Sequence, residues 1–169
     1  MNIVTVKVLS EIGPRTGYEY AQSFGISTLV DGVDINGSTY TDVNQTLALG
    51  GITYGVKNIE LNAAYATIAN GGVYIEPKMY TIVEDHDGNV ILDSSENADT
   101  HRVLKETTAW LLTSAMEDVV TEGTGTAVDF GSTQIAGKTG TTSDENDVWF
   151  SGFTTSYTAT AWAGYDNNV

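Results

Sequence analysis

The chain has no cysteine, only two prolines and two histidines, and just seven basic side chains in 169 residues. Without cysteine there is no disulfide framework, no thiolate-bound zinc and no cysteine nucleophile. The few lysines and arginines face 22 acidic side chains, which leaves a formal charge of −15. A field of that sign repels phosphate backbones and anionic lipid surfaces, so nucleic acid is not an expected partner. Nowhere does the sequence hold the ~18 uninterrupted apolar residues that a membrane span needs. The opening Met-Asn-Ile-Val lacks the basic and apolar regions of an export signal. The expectation is a soluble chain, with any signal or anchor upstream of Met1. What is present, 41% hydrophobic and 17% charged residues, is the balance of a globular protein of ordinary single-domain length.

Residues 2–12 carry two periods at once. Val4, Val6 and Val8 alternate as in a strand, while Val4, Val8 and Ile12 fit a helix, which is the reading preferred. Gly13-Pro14 then breaks the chain, and Tyr18, Ala21 and Phe24 form one face of a short helix that Gly25 stops. From Ser27 to Gly51 the turn pairs Asp31-Gly32, Asn36-Gly37 and Gly50-Gly51 predict a loop-rich stretch. Leu61, Ala64, Tyr65 and Ile68 define a clear helix with Asn58 as its cap and Asn70-Gly71-Gly72 as its stop. Residues 79–84 and 89–93 read as strands of a hairpin around Asp85-His86-Asp87-Gly88. A second long helix, about 105–121, is expected to bury Leu112, Ala115, Met116 and Val119 before Gly123-Thr124-Gly125 ends it. Three strands near 133–139, 147–153 and 157–164 follow. Helices and strands are segregated rather than alternating, which predicts an α+β fold with a C-terminal antiparallel sheet packed against helices.

One run carries chemistry. Gly137-Lys138-Thr139-Gly140-Thr141-Thr142 ends the first of the three C-terminal strands. Lys138 supplies a positive charge for an anionic group, and the hydroxyls of Thr139 and Thr141 can donate short hydrogen bonds to a carboxylate. Gly140 has no side chain, so a ligand can approach the strand backbone there. Alone, the tripeptide Lys-Thr-Gly reads first as an exposed β-turn; its neighbours decide.

Over nearly the whole length the chain resembles the class A penicillin-binding proteins, in the C-terminal half of their transpeptidase domain. The likeness rests on Asn2-Ile3-Val4, Ile12-Gly13-Pro14 and Leu47-Ala48-Leu49-Gly50-Gly51-Ile52-Thr53-Tyr54-Gly55-Val56. It continues through Glu60-Leu61-Asn62-Ala63-Ala64-Tyr65, Ala69-Asn70-Gly71-Gly72, Asp87-Gly88-Asn89-Val90, Gly123-Thr124-Gly125, the lysine run, Trp149-Phe150 and Trp162-Ala163-Gly164-Tyr165. Ser-x-x-Lys, Ser-x-Asn and Lys-Thr-Gly are that family's motif set. The resemblance implies a partial transpeptidase fold, residues 1–169 forming one partial domain that begins inside Ser-x-Asn and stops before a terminal helix. It implies acyl transfer without a cofactor: a serine attacks D-Ala-D-Ala, D-Ala leaves, and an amine on a neighbouring strand takes the acyl group. By the same resemblance Lys138 and Asn2 are the catalytic residues. Thr139, Gly140, Thr141 and Thr142 bind substrate, with Thr141 N–H as one oxyanion donor. Expected partners are the N-terminal half of the domain, the peptidoglycan stem peptide and β-lactams. The parent would work at the outer face of the cytoplasmic membrane.

No serine in the chain has a lysine three residues later, so Ser-x-x-Lys is absent. The chain alone is therefore expected to be inactive, with a non-enzymatic binding or scaffolding module as the alternative reading. Faces meant for the other half would be exposed and open to self-association. Several look-alikes fail on context. Ser95-Glu96-Asn97 sits in a polar stretch, and Tyr165-Asp166-Asn167 follows the lysine motif instead of preceding it. Gly131 to Gly137-Lys138-Thr139 has one residue too many for a phosphate loop and predicts no following helix. Asp34-Ile35-Asn36-Gly37 begins like a calcium loop but places Val43 where the bidentate glutamate belongs. His86 and His101 share no plausible spacing with a serine or an acidic partner, and Trp149 and Trp162 are expected in the core.

Overall fold

The computed structural model of the protein describes residues 2–95 and 98–165. Its first two helices, α1 (Asn2–Ile12) and α2 (Pro14–Ser23), meet at Gly13, whose φ of 88° is open to glycine and strained for other residues. Pro14 at the first helical position starts α2 because its missing N–H would have no intrahelical partner there. Leu9 is buried between the two helices: a Cβ on Gly17 would lie 2.5 Å from its Cδ1.

Where a loop was expected, Asp31–Ile35 (β1) and Ser38–Thr41 (β2) form an antiparallel hairpin. Its two-residue turn is Asn36-Gly37, with φ of 52° and 80°, the pairing of positive angles that matches strand twist. A 3-10 turn over Gln45–Leu49 follows, capped by the Asn44 side chain, which accepts from Thr46 N. Tyr18, Ile26 and Leu29 form the first core, with Val43, Leu47 and Ile52 against them.

Helix α3 (Asn58–Ala69) has Lys57 and not Asn58 at its cap position. Asn58 is already inside the helix, and its amide donates to Thr160 O at 3.4 Å. The helix ends at Asn70-Gly71-Gly72 as expected, both glycines having positive φ. Arg102 braces the turn that follows, donating to Gly71 O and Leu104 O at 2.8 and 3.0 Å. Val73–Ile75 (β3) pairs antiparallel with Thr100–Arg102 (β6), and between them Ile82–Glu84 (β4) pairs with Val90–Asp93 (β5).

Helix α4 (Glu106–Thr121) turns a different stripe to the core from the one its period suggested. Ala109, Met116 and Val120 are buried, whereas Ala115 is exposed and Leu112 is 38% exposed. Leu112 instead lines an open cleft described below. The last strands, β7 (Ala136–Thr141), β8 (Asp147–Phe153) and β9 (Thr158–Gly164), form the expected antiparallel sheet in the order β7-β8-β9, so β7 is an edge. One face of this sheet packs on α3 and α4 through Met116, Ala136 and Phe153, with Tyr65 and Ile68 against them. A polar chain crosses the same interface: Asn62 Nδ2 reaches Thr160 Oγ1 at 3.4 Å, and Thr160 Oγ1 donates to the buried Ser151 at 3.1 Å. The architecture is α+β. No helix among the described residues is long and apolar enough to cross a membrane.

Candidate functional site

The lysine run lies on β7, the edge strand. Register pairs Lys138 with Ser151, Thr139 with Phe150, Gly140 with Trp149 and Thr141 with Val148. Alternation along the strand therefore puts Lys138 and Gly140 on the helix-covered face and Thr139 and Thr141 on the other. The unpaired edge leaves alternate N–H and C=O groups of β7 free to receive an extended peptide. Two glycines shape the strand. A Cβ on Gly137 would meet Phe150 Cζ at 2.5 Å, and one on Gly140 would press on Trp149 Cβ at 3.3 Å. The first lets the Phe150 ring lie against the strand, and the second lets Trp149 pack closely on it beside the lysine.

Lys138 is exposed and its Nζ donates to the Thr139 carbonyl at 2.9 Å. No carboxylate among the described residues forms an ion pair with it. On its helix side Lys138 borders an open apolar cleft of about 390 Å³, walled by Phe24 and Ile26 beyond α2, Tyr65 and Ile68 of α3, and Leu112 of α4. Burial pushes the Tyr65 phenol up, so it stays protonated at neutral pH and cannot serve there as a base.

The threonines differ in what they already hold. Thr139 Oγ1 lies 2.6 Å from Thr124 Oγ1, in the turn after α4. Thr142 is tied to Asp147: its hydroxyl accepts from Asp147 N at 2.8 Å and reaches Asp147 Oδ2 at 3.4 Å, while its N–H donates to Asp147 O at 3.0 Å. That closes the loop between β7 and β8, so the Thr142 hydroxyl is committed within the protein. Thr141, at the strand end, is exposed. Asn2 is the exposed first residue of α1, a helix that packs on the 45–49 turn and on α2. The strand bearing Lys138 packs on α4 instead.

Two expectations differ from the structure, and one residue of the site was missed. Trp149 and Trp162 are cross-strand partners 6.1 Å apart, but Trp162 is 39% exposed and its indole N–H donates to Asp147 Oδ1 at 2.9 Å; it belongs to the surface of the sheet rather than the core. His86 and His101 both have acidic neighbours, Asp87 at 3.2 Å and Asp99 at 4.0 Å. His101 Nε2 also meets Ser23 O at 2.8 Å, which assigns its proton to Nε2 and its role to bridging β6 and α2. Thr124 was read only as part of a helix stop, though fifteen residues on it touches the lysine motif.

The look-alikes behave as their context suggested. Lys138-Thr139 sits in a strand followed by a loop and another strand, which leaves no helix N-terminus for phosphates. Asp34 to Gly37 is strand and hairpin turn. Ser95 donates to Asp93 Oδ1 in a local turn, while Glu96, Asn97, Asp166 and Asn167 lie outside the described residues. No group of metal-binding side chains occurs among the described residues.

The lysine-bearing edge strand thus lies beside an open apolar cleft between helices. Residues 1–168 match the penicillin binding protein transpeptidase domain, and the chain belongs to that family. It is 36% identical over 169 residues to penicillin-binding protein 1A of Clostridium botulinum, covering 99% of this chain and 19% of that protein. Its fold matches penicillin-binding protein 1A of Haemophilus influenzae with a TM-score of 0.75 at 22% identity, over 99% of this chain and 29% of the other. The penicillin-binding protein PonA1 of Mycobacterium tuberculosis in complex with penicillin V is matched at 28% identity and a TM-score of 0.65, over 85% of this chain and 39% of that one. The chain thus spans about a fifth of the length of its curated relative and is a part of a transpeptidase domain.

Proposed function

We propose that this chain supplies the carboxylate-binding strand of a peptidoglycan D,D-transpeptidase whose serine lies in an upstream half of the same domain. The observation that carries the reading is the edge strand β7. It combines an unpaired backbone edge, a lysine with no ion pair to a carboxylate among the described residues, and outward hydroxyls at Thr139 and Thr141. A peptide ending in D-Ala-D-Ala lies along that edge, with its terminal carboxylate at Thr139 and Thr141 and the positive field of Lys138 beside it. Thr141 N–H is one of the two oxyanion donors, a class of contact worth about 10²–10³ in rate where it has been removed elsewhere. Thr142 acts by holding the loop after the strand, and Asn2 completes the Ser-x-Asn element together with a serine outside the chain.

In the reaction the upstream serine Oγ bonds to the penultimate carbonyl carbon and the C–N bond to the terminal D-Ala breaks. D-Ala leaves with a proton, and an amine of a neighbouring stem then displaces the serine. The apolar cleft between α2, α3 and α4 is where that upstream half seats, and the exposed Ile3, Val4 and Val8 of α1 belong to the same contact. The parent acts at the outer face of the cytoplasmic membrane. A β-lactam occupies the same strand, as the PonA1 complex with penicillin V supports.

Labelling with a fluorescent penicillin tests the reading. The chain alone forms no hydroxylamine-sensitive adduct, and adding the separately expressed upstream half restores acylation on that half. An adduct on this chain would refute the assignment of the serine. Tight assembly of the halves without acylation would favour a scaffolding module.

A further inference from the structure

We propose that Thr124 is a positioning residue for the substrate-binding strand, orienting the Thr139 hydroxyl so that its single proton points at the ligand's carboxylate. The inference rests on the reading of Thr139 as an anion-gripping residue.

The turn after α4 is built to deliver Thr124 to that place. Gly125 N donates to Val119 O at 2.9 Å, folding the chain back over the last turn of the helix. A Cβ on Gly123 would lie 2.8 Å from Val119 Cα and O, and one on Gly125 would lie 3.1 Å from Val119 O. Glycine on both sides therefore permits the close turn, and the residue between them projects onto β7. Its hydroxyl oxygen ends 2.6 Å from that of Thr139, a short hydroxyl–hydroxyl contact.

Proton counting gives the contact its meaning. A threonine hydroxyl has one proton to donate and lone pairs to accept with. If Thr139 donates to Thr124, its proton is spent and only lone pairs face an arriving carboxylate, which repels them. If Thr124 donates to Thr139, the Thr139 proton is free for the anion, and the chain Thr124 to Thr139 to carboxylate is polarised in one direction. An anion at the strand selects the second arrangement. Thr139 is fixed at its other end by the Lys138 ammonium on its carbonyl, so the pair turns a free rotor into an aimed donor. Neither the sequence motif nor the strand itself specifies this aim.

The experiment is a nuclear magnetic resonance titration of the isotopically labelled chain with N-acetyl-D-alanyl-D-alanine and with its C-terminal amide, which lacks the carboxylate. Wild type is expected to prefer the acid, and Thr139→Val to lose that preference. Thr124→Val weakens acid binding about two- to tenfold, the range for one hydrogen bond, without changing amide binding, and Thr124→Ser restores it. The threonine methyl signals of the unmutated chain report independently of any variant's folding: the acid moves both the Thr139 and the Thr124 methyl, and the amide moves neither. If Thr139→Val loses the preference while Thr124→Val keeps it, or if the acid shifts Thr139 alone, Thr124 is merely structural and the proposal falls with the strand reading intact. Failure of Thr124→Ser to rescue has the same consequence. If wild type does not distinguish acid from amide, both ideas are overturned.

Discussion

The β1–β2 and β4–β5 hairpins use the same chemistry in opposite settings. Next to β2, Asp42 accepts three hydrogen bonds, from Val30 N at 2.8 Å, Thr53 N at 2.8 Å and Thr53 Oγ1 at 2.7 Å. At the tip of β4 and β5, Asp85 also accepts three, from Asp87 N, Asn89 N and Asn89 Nδ2, each at 2.9 Å. Asp42 is 1% exposed and its partners lie 11 or 12 residues away; the Asp85 bonds are exposed and span two to four residues. One carboxylate joins separate pieces of chain in the interior, the other shapes its own turn in water. A hydrogen bond lost in the interior leaves a donor without water, whereas one lost at the surface is replaced by solvent. The contrast predicts very unequal consequences for one substitution made twice.

Asp42→Ala is the larger. It orphans the N–H groups of Val30 and Thr53 beside the core of Tyr18, Ile26 and Leu29. The expected loss is roughly 2–6 kcal/mol, about 1–3 for each stranded donor. For a chain of this size that lowers Tm by on the order of 5–15 °C, as thermal unfolding followed by circular dichroism will show. A shift no larger than that of a surface substitution would mean that water reaches the site and the contrast is false.

Glu60 is the intermediate case and adds a pH dependence. Its carboxylate takes Ser27 N at 3.1 Å, Ser27 Oγ at 2.5 Å and Lys57 Nζ at 2.8 Å, pinning the loop after α2 to the start of α3. Burial alone pushes its carboxyl up, but the bonds from Lys57 and Ser27 outweigh burial and hold it below the ordinary value of 4.5. The unfolded chain therefore takes up the proton first as pH falls. Stability from Glu60 is complete above about pH 4.5 and is lost as pH falls further, through the folded-state value. Glu60→Gln should cost about 1–2 kcal/mol at pH 7, and the gap to wild type should narrow as the pH falls below 4.5. Urea unfolding at several pH values measures it, and a gap that stays constant would show that the charge of Glu60 contributes nothing.

The same division between local and distant partners explains what the sequence revealed. Helices α3 and α4 and the β4–β5 hairpin carry their own periodicity and stops, as in Leu61 to Ile68 and Asp85 to Gly88, and were legible within three residues of their observed bounds. The β1–β2 hairpin was not. Its turn Asn36-Gly37 was visible, but the flanking Asp31, Gly32, Asp34, Ser38 and Thr39 offer no apolar alternation, because nothing apolar covers most of them. Strands β3 and β6 are three residues each and find one another across the intervening hairpin, a pairing that no local pattern encodes. Leu112 had the right period for burial, yet the stripe that packs is fixed by where β7 and α3 happen to meet α4. Of the site, the motif residues on β7 could be read from sequence and family likeness. The Thr124–Thr139 contact depends on how the end of α4 lies against the sheet, so it became visible only in three dimensions.

Asp85→Ala is the smallest expected effect and the sharpest test of the comparison. The hydrogen bonds from Asn89, with those of Asp87, hold the Asp85 carboxyl below the ordinary range, so the turn is well formed at neutral pH. All three bonds nevertheless close within five residues, and every residue of β5 is exposed, so little of the rest of the molecule depends on the hairpin's shape. Global stability should be indistinguishable from wild type, as for other surface sites. The amides of Asp87 and Asn89 lose their acceptor and should exchange with solvent faster, while those of α3 and β8 are unaltered. Hydrogen exchange read residue by residue separates these outcomes. Faster exchange reaching α3 would show that the hairpin is coupled to the core and that burial, rather than the span of the bonds, is the wrong axis on which to divide the two aspartates.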